Sequence, residues 1–360
     1  MMRLAFLFAI GAALAWMPAQ TAQRYPGKTW DNARSPEQLG WSSEKLKLAR
    51  DYSNSIGTAA LMIVADGVVV DEWGDVSARL RSHSMRKSFI SALYGIYVDE
   101  GRIHLTSTME ELGIDDNPPL TPEEKKARVI DLLQARSGVY HFAAAEADVM
   151  RALRPARGSH APGTFWYYNN WDFNVLGTIF ESSTKTSIGE AFLKRIAEPL
   201  GMQDFRARDA SYSREPVSIH AAYPFRMSAR DAARFGLLYL RKGEWEGRQI
   251  VPKEWVEEST KPHSSLGASG VFGLYGAYGY LWWVAVGGKQ FPSVDLGVGA
   301  YSAQGGPGQL ILVAPAFNLV VVHLYNTDNM DVSKVDAEAD SAKLGRLLRF
   351  IFDAAPAGRG

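Results

Sequence analysis

The β-forming stretches of this 360-residue chain lie near its two ends, and helix-patterned segments fill the long interval between them. Strands inside a folded protein must find partners, because each carries backbone N–H and C=O groups that cannot be buried unpaired. The terminal runs are therefore expected to meet in one sheet, which the middle of the chain leaves and rejoins. On the N-terminal side, Ala59–Val64 and Val68–Trp73 flank Asp66-Gly67, a dipeptide suited to the positive φ angles of a tight hairpin. On the C-terminal side, Tyr278–Val286, Ser293–Ser302, Gln309–Val313 and Leu319–Leu324 read as successive strands, with a closing helix over Ser341–Phe352.

Helical spacing of apolar residues predicts a first helix over Ser42–Ile56, capped by Ser42 or Ser43, and an apolar helix over Ser84–Val98 that ends near Gly101. Further helices are expected over Pro122–Leu133, Asn174–Ser182, Ile188–Pro199, Ala229–Leu240 and Pro252–Ser259. The fold class is thus α+β: an antiparallel sheet built from both termini with flanking helices, plus an inserted mainly helical subdomain. Residues 36–83 and 270–355 would form the sheet subdomain and residues 84–269 the helical one, with a cleft between them suited to a small molecule.

Composition removes several function classes. Thirty-nine basic residues balance thirty-nine acidic ones, leaving no basic field for nucleic acid and no polybasic run for an anionic membrane. The absence of cysteine rules out thiol nucleophiles, disulfides and thiolate zinc sites, and the seven histidines lack the spacing of a helical metal site. No metal and no cofactor are expected. Residues 1–22 read as a signal peptide: Arg3 gives the positive start, Leu4–Trp16 the apolar run, and Ala19 and Ala22 the small residues of a cleavage site. That reading implies a periplasmic or secreted protein with no stable membrane insertion after processing.

Chemistry enters with Ser-x-x-Lys, in which two residues three apart share a helix face and the amine can take the hydroxyl proton. Ser42/Lys45, Ser84/Lys87 and Ser182/Lys185 all match. Ser42 opens a lysine- and arginine-rich helix, and Ser182 lies in a polar stretch at a helix end, so both read as solvated caps. Ser84 stands between a hairpin and the uncharged run Ser88–Val98, where Lys87 would be drawn inside and its ammonium disfavoured. A second element is Tyr168-Asn169-Asn170, within an aromatic and amide-rich stretch that leads into a helix; Tyr52-Ser53-Asn54 shares the Tyr-x-Asn spacing without that setting. A phenol beside a lysine can relay a proton, and an asparagine can orient the lysine or bind a carbonyl. The third is Gln304-Gly305-Gly306-Pro307-Gly308, where missing side chains would let a strand approach substrate closely and offer an N–H to an oxyanion.

The order Ser-x-x-Lys, Tyr-x-Asn and glycine-rich strand resembles the class C β-lactamase and penicillin-binding-protein superfamily. Asp131-Leu-Leu-Gln-Ala-Arg-Ser-Gly138, Met227-Ser-Ala-Arg-Asp-Ala-Ala-Arg-Phe-Gly236, Tyr278-Gly-Tyr-Leu-Trp-Trp283 and Gly308-Gln-Leu-Ile-Leu-Val-Ala-Pro315 resemble segments of its esterase and 6-aminohexanoate-dimer-hydrolase branch. The resemblance covers roughly Pro36 to Phe352. It implies a β-lactamase/DD-peptidase-like fold and a serine hydrolase acting on small ester or amide substrates, with Ser84 as nucleophile, Lys87 as base and Tyr168 as acid/base partner. It implies an orienting role for Asn170 and substrate contacts at Gln304, Gly305 and Gly306. Where β-lactamases carry a Lys-Thr-Gly or histidine variant, this chain has Gln304, so small uncharged acyl esters are expected ahead of β-lactams. Two other readings stay open: a β-lactamase or D-amino-acid peptidase, and a non-catalytic protein of the same fold that binds peptidoglycan or another ligand.

Overall fold

The computed structural model describes residues 23–268, 270–332 and 335–356; the expected signal peptide lies outside them. Helix α1, Ser43–Ser55, is capped by Ser42. Strands β1, Ala60–Ala65, and β2, Val68–Gly74, then form the hairpin around Asp66-Gly67. Helix α2 spans Arg86–Asp99, α3 Asn170–Thr184 and α4 Ala229–Leu240. The C-terminal part supplies β3, Ser264–Ser265, β4, Ala277–Tyr278, β5, Trp283–Val284, β6, Tyr301–Gly305, β7, Gln309–Ala314, and β8, Leu319–Leu324, before helix α5, Ala337–Asp353.

These strands form one eight-stranded sheet in the order β2-β1-β8-β7-β6-β5-β4-β3. The chain ends meet at its centre: β1 pairs antiparallel with β8 from Ala60↔Leu324 to Ala65↔Leu319. All six residues of β1, β7 and β8 are buried, which explains why they read as continuous apolar runs rather than as alternating ones. Helix α4 packs on this central part at glycine spacing, since a Cβ on Gly236 would lie 2.5 Å from Val320 Cγ1 and 2.9 Å from Ile311 Cγ2. Its first turn is tied to the helical region by Asp231, whose buried carboxylate accepts the N–H groups of Gln203, Asp204 and Phe205 at 2.8–2.9 Å.

Among the elements that differ from the sequence expectation, four have a local reason. The Tyr278–Val286 run divides into β4 and β5 around a tight turn, closed by Gly279 N–H to Trp282 O at 2.8 Å with Leu281 at φ 64°. Residues 293–300 are not strand: Ser293, Gly297 and Gly299 take positive φ, and pairing starts only at Tyr301. The Pro122–Leu133 helix shrinks to Val129–Leu133, because Arg128 is extended and its N–H and guanidinium both engage Asp131. Helix α3 begins four residues earlier than expected, because the Asn169 side chain accepts Trp171 N–H and caps it.

The close approach at Gly236 sets a stability test. Gly236→Val should lower stability by about 1–3 kcal/mol through overpacking against Val320 and Ile311, and Gly236→Ala by less. The urea midpoint should fall in that order with an unchanged m value.

Candidate active site

The nucleophile candidate is placed by three short constraints. Ser82 binds the Phe225 carbonyl through both its N–H, at 2.9 Å, and its Oγ, at 3.1 Å. His83 then takes φ 45°, an uncommon setting for a side-chain-bearing residue, and is held by Nε2 at 2.7 Å from Thr327 Oγ1. Ser84 follows in a single 3₁₀ turn, His83–Met85, that runs into α2. Strand β6 passes the turn at backbone contact: a Cβ on Gly305 would lie 2.4 Å from Ser82 O and 2.7 Å from Ser84 N.

Lys87, 1% exposed, reaches back one helical turn to place Nζ 2.6 Å from Ser84 Oγ and 2.9 Å from Tyr168 Oη. Its Nζ also lies 4.5 Å and 4.6 Å from the ring centres of Tyr168 and Phe173. No carboxylate pairs with Lys87 among the described residues. Burial, and secondarily the charge of Arg86, hold its pKa well below the usual lysine range. Burial pushes the Tyr168 phenol the other way, up to about 12, against a smaller lowering by its hydrogen bond to Ser84. The two neighbours are therefore polarised in opposite senses: the amine favours its uncharged form, able to accept a proton, and the phenol keeps its proton.

Ser84 and Tyr168 open onto a cavity of about 270 Å³, which Asn170, Gln304, Gly305 and Gly306 also line. The amides of Ser84 and Gly306 donate to no other group among the described residues. Pro307 has no N–H, so Gly306 is the last residue of the loop's start that can offer one beside the Gly305 contact. Asn170 makes no hydrogen bond to Lys87 among the described residues. Its Nδ2 binds the Ala145 carbonyl at 3.3 Å and Met150 Sδ at 3.2 Å, while its buried Oδ1 has no partner. Gln304 Nε2 is turned to Ser302 Oγ at 2.8 Å, within a chain that continues to Gln290 Oε1.

The other matches to the short motifs lie elsewhere. Ser42 caps α1, and Lys45 Nζ binds the Asp353 carbonyl. Ser182 is exposed but caps nothing; its Oγ binds the Ile179 carbonyl within the last turn of α3. Of the aromatic residues, Tyr168 and Trp283 line the cavity with their rings stacked 5.2 Å apart. Trp282 is fully buried against Tyr239 and Tyr301, and Phe165 stacks on His160. Sequence reasoning passed over His83 and Arg86, which also line the cavity. Arg86 had a visible signal, a second cation inside the Ser-x-x-Lys motif. His83 had none, since its contact with Thr327 spans 244 residues.

A sheet closed by both chain ends around an inserted helical region, with the serine in the turn that opens the first helix after the hairpin and the lysine in that helix's first turn, is the β-lactamase and penicillin-binding-protein fold. Residues 44–344 match the family model described as Beta-lactamase. The chain belongs to the β-lactamase family. Esterase EstB of Burkholderia gladioli is 30% identical over 128 residues, a stretch covering 36% of this chain and 30% of the esterase. Among solved structures, a putative 6-aminohexanoate-dimer hydrolase from Bacillus anthracis superposes with a TM-score of 0.61 at 20% identity, over 84% of this chain and 80% of that one. The octameric penicillin-binding protein homologue from Pyrococcus abyssi gives 0.60 at 19%, over 88% and 78%.

The setting of Lys87 makes a prediction independent of turnover. In protein carrying ¹³Cε-lysine, the resonance lost in Lys87→Met should titrate well below the ordinary lysine value of about 10.4. Removing the nearby positive charge in Arg86→Gln should move that midpoint upward. A Lys87 that titrates like the surface lysines would contradict the burial argument.

Proposed function

We propose that this protein is a serine hydrolase that cleaves small ester or amide substrates through a Ser84 acyl-enzyme. The observation that carries the reading is the 2.6 Å contact between Lys87 Nζ and Ser84 Oγ, in surroundings that lower the pKa of the amine. As Ser84 Oγ attacks the substrate carbonyl carbon, Lys87 Nζ takes the hydroxyl proton. The carbonyl oxygen gathers negative charge between the Ser84 and Gly306 N–H groups, which have no competing acceptor among the described residues. Collapse of the tetrahedral intermediate expels the leaving alkoxide or amine. Tyr168 passes its phenolic proton to that group and recovers one from Lys87 across the 2.9 Å contact. Water then attacks the acyl carbon with Lys87 as base, returning Ser84 to its hydroxyl form.

Esters and linear amides suit the cavity better than β-lactams. At Gln304 a neutral amide, already hydrogen-bonded to Ser302, stands where the resembling β-lactamases carry a cation. A neutral contact is roughly half as strong as a charge-assisted one. The name of the Burkholderia relative, an esterase, points the same way over the stretch it shares.

A fluorophosphonate probe should label the wild-type protein and leave Ser84→Ala unlabelled, with Ser42→Ala and Ser182→Ala labelled normally. Lys87→Arg keeps a charge but cannot give up its proton, so it should lose about 10²–10⁴-fold in kcat/KM on p-nitrophenyl butyrate, as Lys87→Ala does. Nitrocefin should be turned over with a lower kcat/KM than p-nitrophenyl butyrate. A reversed order would make the protein a β-lactamase, and labelling that persists in Ser84→Ala would move the nucleophile elsewhere.

A further inference from the structure

Arg86, two residues after the nucleophile, is 6% exposed and lines the cavity, yet no carboxylate pairs with it among the described residues. Its Nη1 donates to the His83 carbonyl at 3.3 Å, its Cζ stands 5.0 Å from the Tyr223 ring centre, and its buried Nε has no acceptor among the described residues. A guanidinium has five N–H donors, so most of its donor capacity is unused.

The difference lies in the Nη groups, which are served in other enclosed arginines of this chain, although the Nε atoms of Arg234 and Arg154, like that of Arg86, have no partner among the described residues. Arg234 gives its Nη groups to the carbonyls of Leu200, Gly27, Lys28 and Pro26, and Arg154 pairs with Glu146. On the same side of the nucleophile, Arg81 and Arg226 share Asp328. Nothing on the cavity wall fills that role for Arg86. Asp340, the wall's carboxylate among the described residues, accepts the Gly308 N–H at 2.7 Å. His83 does not add a competing charge, since burial and the Arg86 charge lower its pKa to about 4.

We infer that Arg86 is the binding residue for an anionic group of the substrate, a carboxylate held beside the scissile carbonyl in the same cavity. This deepens the serine-hydrolase reading and rests on it. It also revises the expectation of uncharged substrates, which considered only Gln304 on β6. The cation lies instead on the wall made by α2 and residues 222–224, with Ala222 and Pro224 facing the cavity on either side of Tyr223. A carboxylate there leaves the Gln304 side unchanged, so a preference for anionic linear substrates does not become a preference for β-lactams.

The test uses two matched pairs of esters with wild type, Arg86→Gln and Arg86→Lys. One pair carries the charge on the acyl side: mono-p-nitrophenyl glutarate against p-nitrophenyl valerate. The other carries it on the leaving group: 3-acetoxybenzoate against phenyl acetate. In at least one pair, wild type should favour the anion in kcat/KM by about 10- to 100-fold, mainly through KM. Arg86→Gln should abolish that ratio and Arg86→Lys retain part of it. The change in Lys87 basicity that the substitution itself makes acts on both members of a pair and cancels in the ratio, while any change made by the bound anion is read in kcat rather than in KM. Wild-type turnover with no anion preference in either pair, or a preference that survives in Arg86→Gln, overturns the Arg86 assignment alone. If Arg86→Gln does not fold, the wild-type ratios and Arg86→Lys decide. No ester turnover by wild type overturns the hydrolase reading and this inference with it.

Discussion

Taking the Lys87 side chain out of water is the constraint around which this part of the molecule is organised. An ammonium buried without a counter-ion would cost several kcal/mol, so the structure favours the amine in its uncharged form. Two conditions make that arrangement hold. The helix that carries Lys87 must be enclosed, and twelve of the fourteen residues of α2, from Arg86 to Tyr97, are buried. The amine must also keep hydrogen-bond partners that bear no charge, and it has two, the Ser84 hydroxyl and the Tyr168 phenol. An aspartate or glutamate in either place would restore the proton and remove the base.

Enclosing α2 requires the rest of the fold. The hairpin β1–β2 delivers the chain to Ser84, but β1 is fixed only by pairing with β8, which comes from the other end of the sequence. At Gly305, β6 then brings a bare backbone against the turn that carries Ser84, and a side chain there would strike Ser82 and Ser84. Tyr168 arrives from the inserted region, just before α3, whose start is fixed by Asn169 and Asp172. Asn169 binds the Val139 carbonyl and Asp172 Oδ1, while Asp172 takes the Ser137 hydroxyl at 2.5 Å. The segment Asp131–Gly138, which resembles the family in sequence, thus meets the site through these buried contacts rather than by touching the nucleophile.

This division explains what could be read from the sequence. The hairpin, α4 and the pairing strands β7 and β8 were legible because local pattern and burial agree in them. The grouping of Ser84 with Lys87 was legible because three residues on a helix fix a distance. The place of Tyr168 came from the order of motifs, since no local pattern connects residues 87 and 168. Elements shaped by one distant contact were not legible. The turn inside Tyr278–Trp283 is one, where a Cβ on Gly279 would meet the Ser259 carbonyl at 2.1 Å. Asn170 is another: its position in Tyr-x-Asn suggested contact with the lysine, but its Nδ2 is taken by Ala145 and by Met150, which lies in the short helix Asp148–Leu153 at the cavity wall.

Arg86 connects the base to the substrate. Its charge is second to burial among the causes that lower the Lys87 pKa, and on the reading above it is also the group a substrate anion meets. An anion on Arg86 offsets the positive field at Lys87, so the amine becomes a stronger base when the pocket is filled. The coupling is reciprocal: protonating Lys87 tightens the hold on the anion by the same factor by which the anion raises the affinity of Lys87 for a proton. The sign suits an acyl transfer. In the empty site burial and the Arg86 charge favour the uncharged amine, and in the filled site it has more drive to take the Ser84 proton. After release of an anionic product the guanidinium field returns, which favours loss of the proton from Lys87 before the next cycle.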